Sequence, residues 1–260
     1  MRQVLPPSDT ASRTLVRGLE ILRLFSAQRP VLMQSQIAAE LGLPLPTVGR
    51  LCRALVTNGF LELQAGSRRL QLGPEIRRLT ATVPPDMNDD GRRWMRSLNE
   101  HFDEEVNLAI LDGAHTLYID TTPSTRRLGV NTVIGARAPA HCTAVGKCLL
   151  AQLDDGIVRD RLGPGPYEQR TEKTIVRWPR MREELAHIRS TGLSISIEEF
   201  ETGLAGFAVP IFPRTADGVQ LALSIAVPTA RLQSERSGAI ESALLAGPHF
   251  YRHGVDDVAK

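Results

Sequence analysis

This sequence predicts an α+β chain in two domains: a small helical front closed by a β-hairpin, and a larger back half built on antiparallel sheet. Three observations predict it. Three helical stripes and one hairpin pattern follow one another between Leu15 and Leu72, the order of a winged helix-turn-helix. The back half alternates short strands with a few helices, and its Asp-Gly pairs, Asp112-Gly113 and Asp217-Gly218, signal hairpins rather than crossovers. Charge divides along the same line. Residues 1–82 hold 11 arginines against five acids, a net of +6, whereas residues 83–260 carry a net of −4. A basic front suits a polyanion, although a solvated surface can carry the same charge.

The front is read as follows. Pro6-Pro7-Ser8-Asp9 forms a lead-in without regular structure. A first helix puts Leu15, Val16, Leu19, Leu22 and Phe25 on one stripe and stops near Pro30. A second, about Ser35 to Leu41, turns Ile37, Ala38 and Leu41 inward, takes Gln34 or Ser35 as its cap, and ends at Gly42 in a left-handed turn. The third opens at Leu45-Pro46-Thr47, where a proline costs no intrahelical bond, and buries Val48, Leu51, Cys52 and Leu55 before Asn58-Gly59. Phe60–Leu63 and Arg69–Leu72 flank Ala65-Gly66-Ser67 as a hairpin. A connecting helix begins at Gly73, and Val83-Pro84-Pro85-Asp86 sets the domain boundary, giving domains 1–82 and 83–260.

In the back half a helix over Gly91–Phe102 buries Trp94, Met95, Leu98 and Phe102. Strands are expected at Val106–Leu111, Thr116–Asp120, Leu128–Ile134, Leu193–Glu198, Phe207–Phe212 and Gln220–Val227. Helices are expected at Thr143–Leu153, Ile157–Leu162, Met181–Ser190 and Arg231–Leu245. The three cysteines, Cys52, Cys142 and Cys148, are odd in number and widely spaced, which argues against a disulfide framework. No apolar run reaches the ~18 residues of a membrane helix. Met1–Ser12 does not read as a secretory signal, so a cytoplasmic location is expected.

One α-helix fits the major groove of B-DNA, and a second helix lies across its back to hold it. The third helix therefore offers Thr47, Arg50 and Arg53 to bases or phosphates. Arg68 and Arg69 at the hairpin tip suit a wing along the backbone, and Arg13 and Arg17 on the first helix can neutralise phosphates. Ser35 and Gln36, opening the second helix, complete the candidate set. The expected partner is double-stranded DNA.

These residues resemble the IclR family of bacterial transcriptional regulators over nearly the whole chain. Thr14–Leu22 is similar to the family's opening helix, and Ile37–Pro44 with Thr47–Leu51 to its helix-turn-helix. Phe60-Leu61 through Leu72-Gly73 is similar to its hairpin. Gly135–Lys147 resembles its most specific stretch. Glu198-Glu199 with Gly203 and Gly206, and Ala222–Ala226, match the rest. The resemblance implies a GAF-like effector domain, a six-stranded antiparallel sheet flanked by helices. It also implies a homodimer or dimer of dimers on a palindromic operator, controlling catabolic genes in response to a small organic acid or aromatic compound. Leu45 and Gly49 depart from the polar residues usual at their positions, so the operator sequence does not carry over.

Thr143-Ala144-Val145-Gly146 reads as the first turn of a helix, whose free N–H groups suit a carboxylate. By resemblance, Ala144 and Val145 present those groups, and Ser196, Gly206, Ser224 and Ala226 face them. Gly206 and Ala226 are small and apolar here, which enlarges the cavity and points to an aromatic or larger acid. Leu128, Val130, Leu204 and Phe207 are further lining candidates; for Leu128, Val130 and Phe207 a place in the core serves equally well. His141 joins the effector set from the same stretch, though a packed, hydrogen-bonded histidine or a metal ligand beside Cys142 and Cys148 also fits it. No cofactor is expected. Val145-Gly146-Lys147-Cys148 lacks the glycine and hydroxyl of a phosphate loop, and no Gly-x-Ser-x-Gly elbow occurs. Glu198-Glu199 could act as acid and base or simply form a charged strand edge. An enzyme or adaptor using its helix-turn-helix for assembly is the alternative.

Overall fold

The computed structural model describes residues 10–26, 28–81, 89–127, 129–211 and 219–247. The chain divides into two units, Met1–Pro84 and Pro85–Lys260. The expected boundary at Val83–Asp86, the Asp217-Gly218 turn, the Pro6–Asp9 lead-in and Leu128 lie outside the described residues.

The first unit runs α1 (Thr10–Arg23), β1 (Val31–Leu32), α2 (Gln34–Leu41), α3 (Leu45–Thr57), β2 (Leu61–Leu63), β3 (Leu70–Leu72) and α4 (Pro74–Thr80). Ile21, Phe25, Ile37, Val48, Leu51, Cys52, Leu61 and Leu70 contribute to its core, with α1, α2 and α3 each burying one face. Gly42 adopts φ 62° and donates its N–H to the Ala38 carbonyl, closing α2 as a left-handed cap. Three expectations need correction. The stripe of α1 runs through Gly18, Ile21 and Phe25, leaving Leu15, Val16 and Leu19 at 66%, 43% and 47% exposure. With apolar residues on two sides of α1, periodicity alone does not select the face. The cap of α2 is Met33, not Gln34 or Ser35, and its N–H is held by Gln36 Oε1 at 2.8 Å. The hairpin also gains a third strand, because β1 pairs antiparallel with β3 in the order β1-β3-β2. Two residues are too few for alternation to announce it.

The second unit holds α5 (Asp89–Phe102), β4 (Glu105–Asp112), β5 (His115–Thr122), β6 (Arg137–Pro139), a 3₁₀ turn (Ala140–Cys142), α6 (Ala144–Ala151), α7 (Asp155–Leu162), α8 (Trp178–Thr191), β7 (Ser194–Ile197), β8 (Leu204–Ile211), β9 (Leu221–Pro228) and α9 (Ser234–Leu245). Its six strands form one antiparallel sheet in the order β6-β5-β4-β9-β8-β7. Side chains alternate between its faces. Val106, Leu108, Phe207, Val209, Leu223 and Ile225 pack on one side against Met95, Leu98 and Phe102 of α5 and Ile240 and Leu244 of α9. Trp94 is only half-buried there. On the other side Ala109, Ala208 and Ala222 let α6 approach with Ala144, Val145, Cys148 and Leu149. Met181, Leu185 and Ile188 of α8 then cover Leu150.

Gly146 fixes the start of α6. A Cβ there would lie 2.3 Å from the Ala140 carbonyl oxygen, so only glycine allows the 3₁₀ turn and the helix to abut. The strand expected at Leu128–Ile134 does not form over residues 129–134; the pairing strand is β6, further along. Thr132 gives its N–H (2.8 Å) and its hydroxyl to the buried Glu105 carboxylate, so a side chain anchors this segment in place of a ladder.

Candidate nucleic-acid interface and effector cavity

Burial of Val48, Leu51 and Cys52 rotates the opposite side of α3 outward. Arg50 and Arg53 are exposed there, with Thr47 half-buried and Leu45 51% exposed at the helix start. Gly49 lets α2 come close, since a Cβ on it would stand 3.3 Å from Gln34 Oε1. Arg68 and Arg69 are exposed in the loop between β2 and β3, where Gly66 adopts φ 71°. Arg13 is exposed and Arg17 half-buried on α1. Among the described residues none of these six arginines pairs with a carboxylate, whereas Arg29 binds Glu40 and Arg78 binds Glu75. Unpaired guanidiniums on one helix and one hairpin tip are free to meet phosphate or guanine. Ser35 and Gln36 are both exposed, and the Gln36 amide oxygen accepts the Met33 N–H in capping α2.

In the second unit a cavity of about 520 Å³ lies between the start of α6 and the sheet. Thr143 caps α6 by accepting the Gly146 N–H at 3.1 Å, and Lys147 N–H reaches the Thr143 carbonyl. The N–H groups of Ala144 and Val145, both lining the cavity, have no hydrogen bond among the described residues. Two open donors at a helix N-terminus favour an anionic oxygen. Ser196, Gly206, Ser224 and Ala226 line the cavity from β7, β8 and β9, joined by Thr143, Val130 and Leu204. Gly206 makes a close fit with α6: a Cβ there would stand 3.1 Å from Ala144 Cβ, so helix and strand would have to separate by a few tenths of an ångström.

Two candidates stay out of the cavity lining and take the packed or core place that the sequence also allowed them. His141 does not line the cavity: it is buried beside Tyr167, its Nε2 2.8 Å from the Glu168 carbonyl, and burial lowers its pKa. Phe207 points to the opposite face and sits in the α5–α9 core, as period two requires for a neighbour of Gly206. The reading also missed Asn107, Tyr118, Arg137 and Phe200, which line the cavity. Asn107 carried a signal: it is the one polar residue in the run Val106–Leu111, and such a residue is buried for a reason. Tyr118 is buried enough to push its phenol up to about 12.

Glu198 and Glu199 are held in ion pairs. Glu198 accepts the Gly203 N–H at 3.0 Å and Lys173 Nζ at 2.6 Å, shaping the turn that carries Phe200 to Leu204 over the cavity. Glu199 receives Lys147 Nζ at 2.5 Å, and that buried ammonium also binds Glu184 and the Ile195 carbonyl, both at 2.7 Å. Burial nevertheless raises the Glu199 pKa. Lys147 thus ties α6 to α8 and β7. The three cysteines are all buried and not joined in disulfides, with the Cys52 thiol pushed up to about 11 and the Cys142 thiol to about 12 by burial.

A winged helix-turn-helix followed by an antiparallel sheet domain with a ligand-sized cavity is the build of a DNA-binding transcriptional regulator. The chain belongs to the IclR family of bacterial transcriptional regulators: residues 14–65 match the IclR helix-turn-helix domain and residues 81–247 the IclR C-terminal domain. It is 31% identical to the HTH-type transcriptional regulator Rv1719 of Mycobacterium tuberculosis, over 92% of each chain. It is similar to the crystal structure of an IclR transcriptional regulator from Silicibacter sp. TM1040, with a TM-score of 0.74 and 30% identity over 93% of this chain and 96% of that one. An IclR homologue from Microbacterium hydrocarbonoxydans, complexed with 4-hydroxybenzoate, aligns with a TM-score of 0.76 over 92% of this chain and 99% of that one; at 22% identity this likeness speaks for the fold alone.

Proposed function

We propose that this regulator controls a catabolic operon by gripping a palindromic operator with its first unit and releasing or tightening that grip when an aromatic or larger organic acid fills the cavity of the second. The observation that carries the reading is the carboxylate-free arginine face of α3, Arg50 and Arg53, turned to solvent by burial of Val48, Leu51 and Cys52. Thr47, Arg68, Arg69, Arg13, Arg17 and Ser35 add contacts around it. In the cavity the carboxylate would bind the Ala144 and Val145 N–H groups, with the small Gly206 and Ala226 leaving room for a ring. The exposed Leu15, Val16 and Leu19 of α1 support a homodimer or dimer of dimers, since an apolar helix face in solvent invites a second copy. The protein works in the cytoplasm as a binding protein rather than an enzyme.

Fluorescence anisotropy on DNA from upstream of the protein's own gene tests this, with and without a panel of aromatic acids. The expected result is sequence-preferring binding that changes with at least one acid. Arg50→Ala should weaken it by about 1–3 kcal/mol, roughly five- to 150-fold. No binding would leave the helix-turn-helix with a role in assembly only, and equal binding to any duplex would overturn the operator reading.

A further inference from the structure

The cavity is polar at two separate places, and they have opposite character. At the start of α6 the open groups are donors, the Ala144 and Val145 N–H. On β4 the unpaired group is a buried acceptor. Asn107 is 2% exposed, lines the cavity, and its Oδ1 has no hydrogen-bond partner among the described residues.

The orientation of that amide is fixed by its neighbours. Asn107 Nδ2 donates to Glu105 Oε1 at 2.9 Å and to Thr132 Oγ1 at 3.4 Å. The Thr132 hydroxyl gives its hydrogen to Glu105, so both atoms facing Nδ2 are acceptors. Reversing the amide would set an oxygen against a carboxylate. Oδ1 is therefore the atom left over. Directly across the β4–β9 ladder stands Ser224, so the acceptor lies on the small-residue floor rather than under α6.

A buried acceptor without a donor costs about 1–3 kcal/mol, and a second anionic oxygen placed there would add repulsion. A ligand that satisfies both places must be anionic at one end and carry an O–H or N–H at the other. Resting on the effector reading above, we propose that Asn107 is a specificity-determining residue that selects hydroxy- or amino-substituted aromatic acids over their unsubstituted and alkylated analogues. Glu105 is then a positioning residue: its carboxylate fixes the amide and, through Thr132, the segment at residues 129–133 that walls the cavity.

Isothermal titration of the full-length protein with benzoate, meta- and para-hydroxybenzoate, para-aminobenzoate and the matching methyl and methoxy acids tests this. At least one donor-bearing acid should bind roughly tenfold tighter than its methyl isostere. In Asn107→Leu that gap should close to about twofold, with the methyl acid still bound. If Asn107→Leu does not fold, the comparison of hydroxyl with methyl on the wild-type protein decides by itself. Methyl and methoxy acids binding as tightly as the hydroxyl acids would overturn the role of Asn107 and leave the effector reading standing. Binding by no acid in the series would overturn both.

Discussion

His141 and Asn107 show how alternation and hydrogen bonding assign roles to single residues. His141 stands next to a cavity-lining segment in the chain, yet its ring faces Tyr167 and the Glu168 carbonyl, and burial holds its pKa below the ordinary imidazole value. A depressed pKa means the unfolded state binds the proton more readily. The stabilising contribution is then full above the unfolded pKa of ~6.5 and is lost as pH falls through the folded value. Urea unfolding at pH 8 and pH 5.5 should show lower stability at the acid end. In His141→Gln that part of the pH slope should vanish, and an unchanged slope would remove His141 from the explanation. Lys147 makes the contrasting case. Its sequence neighbours invite a phosphate-loop reading, but its ammonium is fully committed to Glu184, Glu199 and a backbone carbonyl.

At the scale of elements, α6 matters most, because its first turn forms one wall of the cavity. Helix periodicity was legible in the sequence, which put Thr143 inside the first turn rather than at its cap; the need for glycine at 146 was not, since it comes from the Ala140 backbone packed against that turn. Gly146→Ala should cost about 1–3 kcal/mol of stability or more, and weaken acid binding by displacing the Ala144 and Val145 N–H groups. Gly238→Ala on α9 is the matched control: nothing lies within 4 Å of the new Cβ, and the helix should gain up to ~1 kcal/mol. Chemical denaturation of both variants checks the pair, and equal effects would show that propensity rather than the close approach governs. The misreading of residues 129–134 belongs here too. Val130, Thr132 and Val133 have the composition of a strand, but the anchor from Glu105 determines their path.

For the whole molecule, the charge division separates two kinds of binding. Operator affinity should drop about 10³-fold or more between 50 and 200 mM salt if the basic front neutralises six or more phosphates. Acid binding to the second unit rests on backbone donors in a partly enclosed cavity and should change little over the same range. Parallel titrations on one preparation test this, and a salt-insensitive operator complex would contradict the arginine-based reading.

By itself the sequence determined the two-part organisation, the antiparallel character of the back half, and most helices and hairpins, because each follows from local periodicity, turn chemistry and charge. It also placed Ala144, Val145, Ser196, Ser224 and Ala226 together, through family resemblance rather than periodicity. Tertiary structure alone decided which face of α1 is buried, that Gly206 lines the cavity while its neighbour Phe207 does not, and that Asn107 beside it keeps an unpaired acceptor. Those outcomes depend on what packs opposite each residue, and contacts across a sheet or between layers leave no mark in the local pattern of the chain.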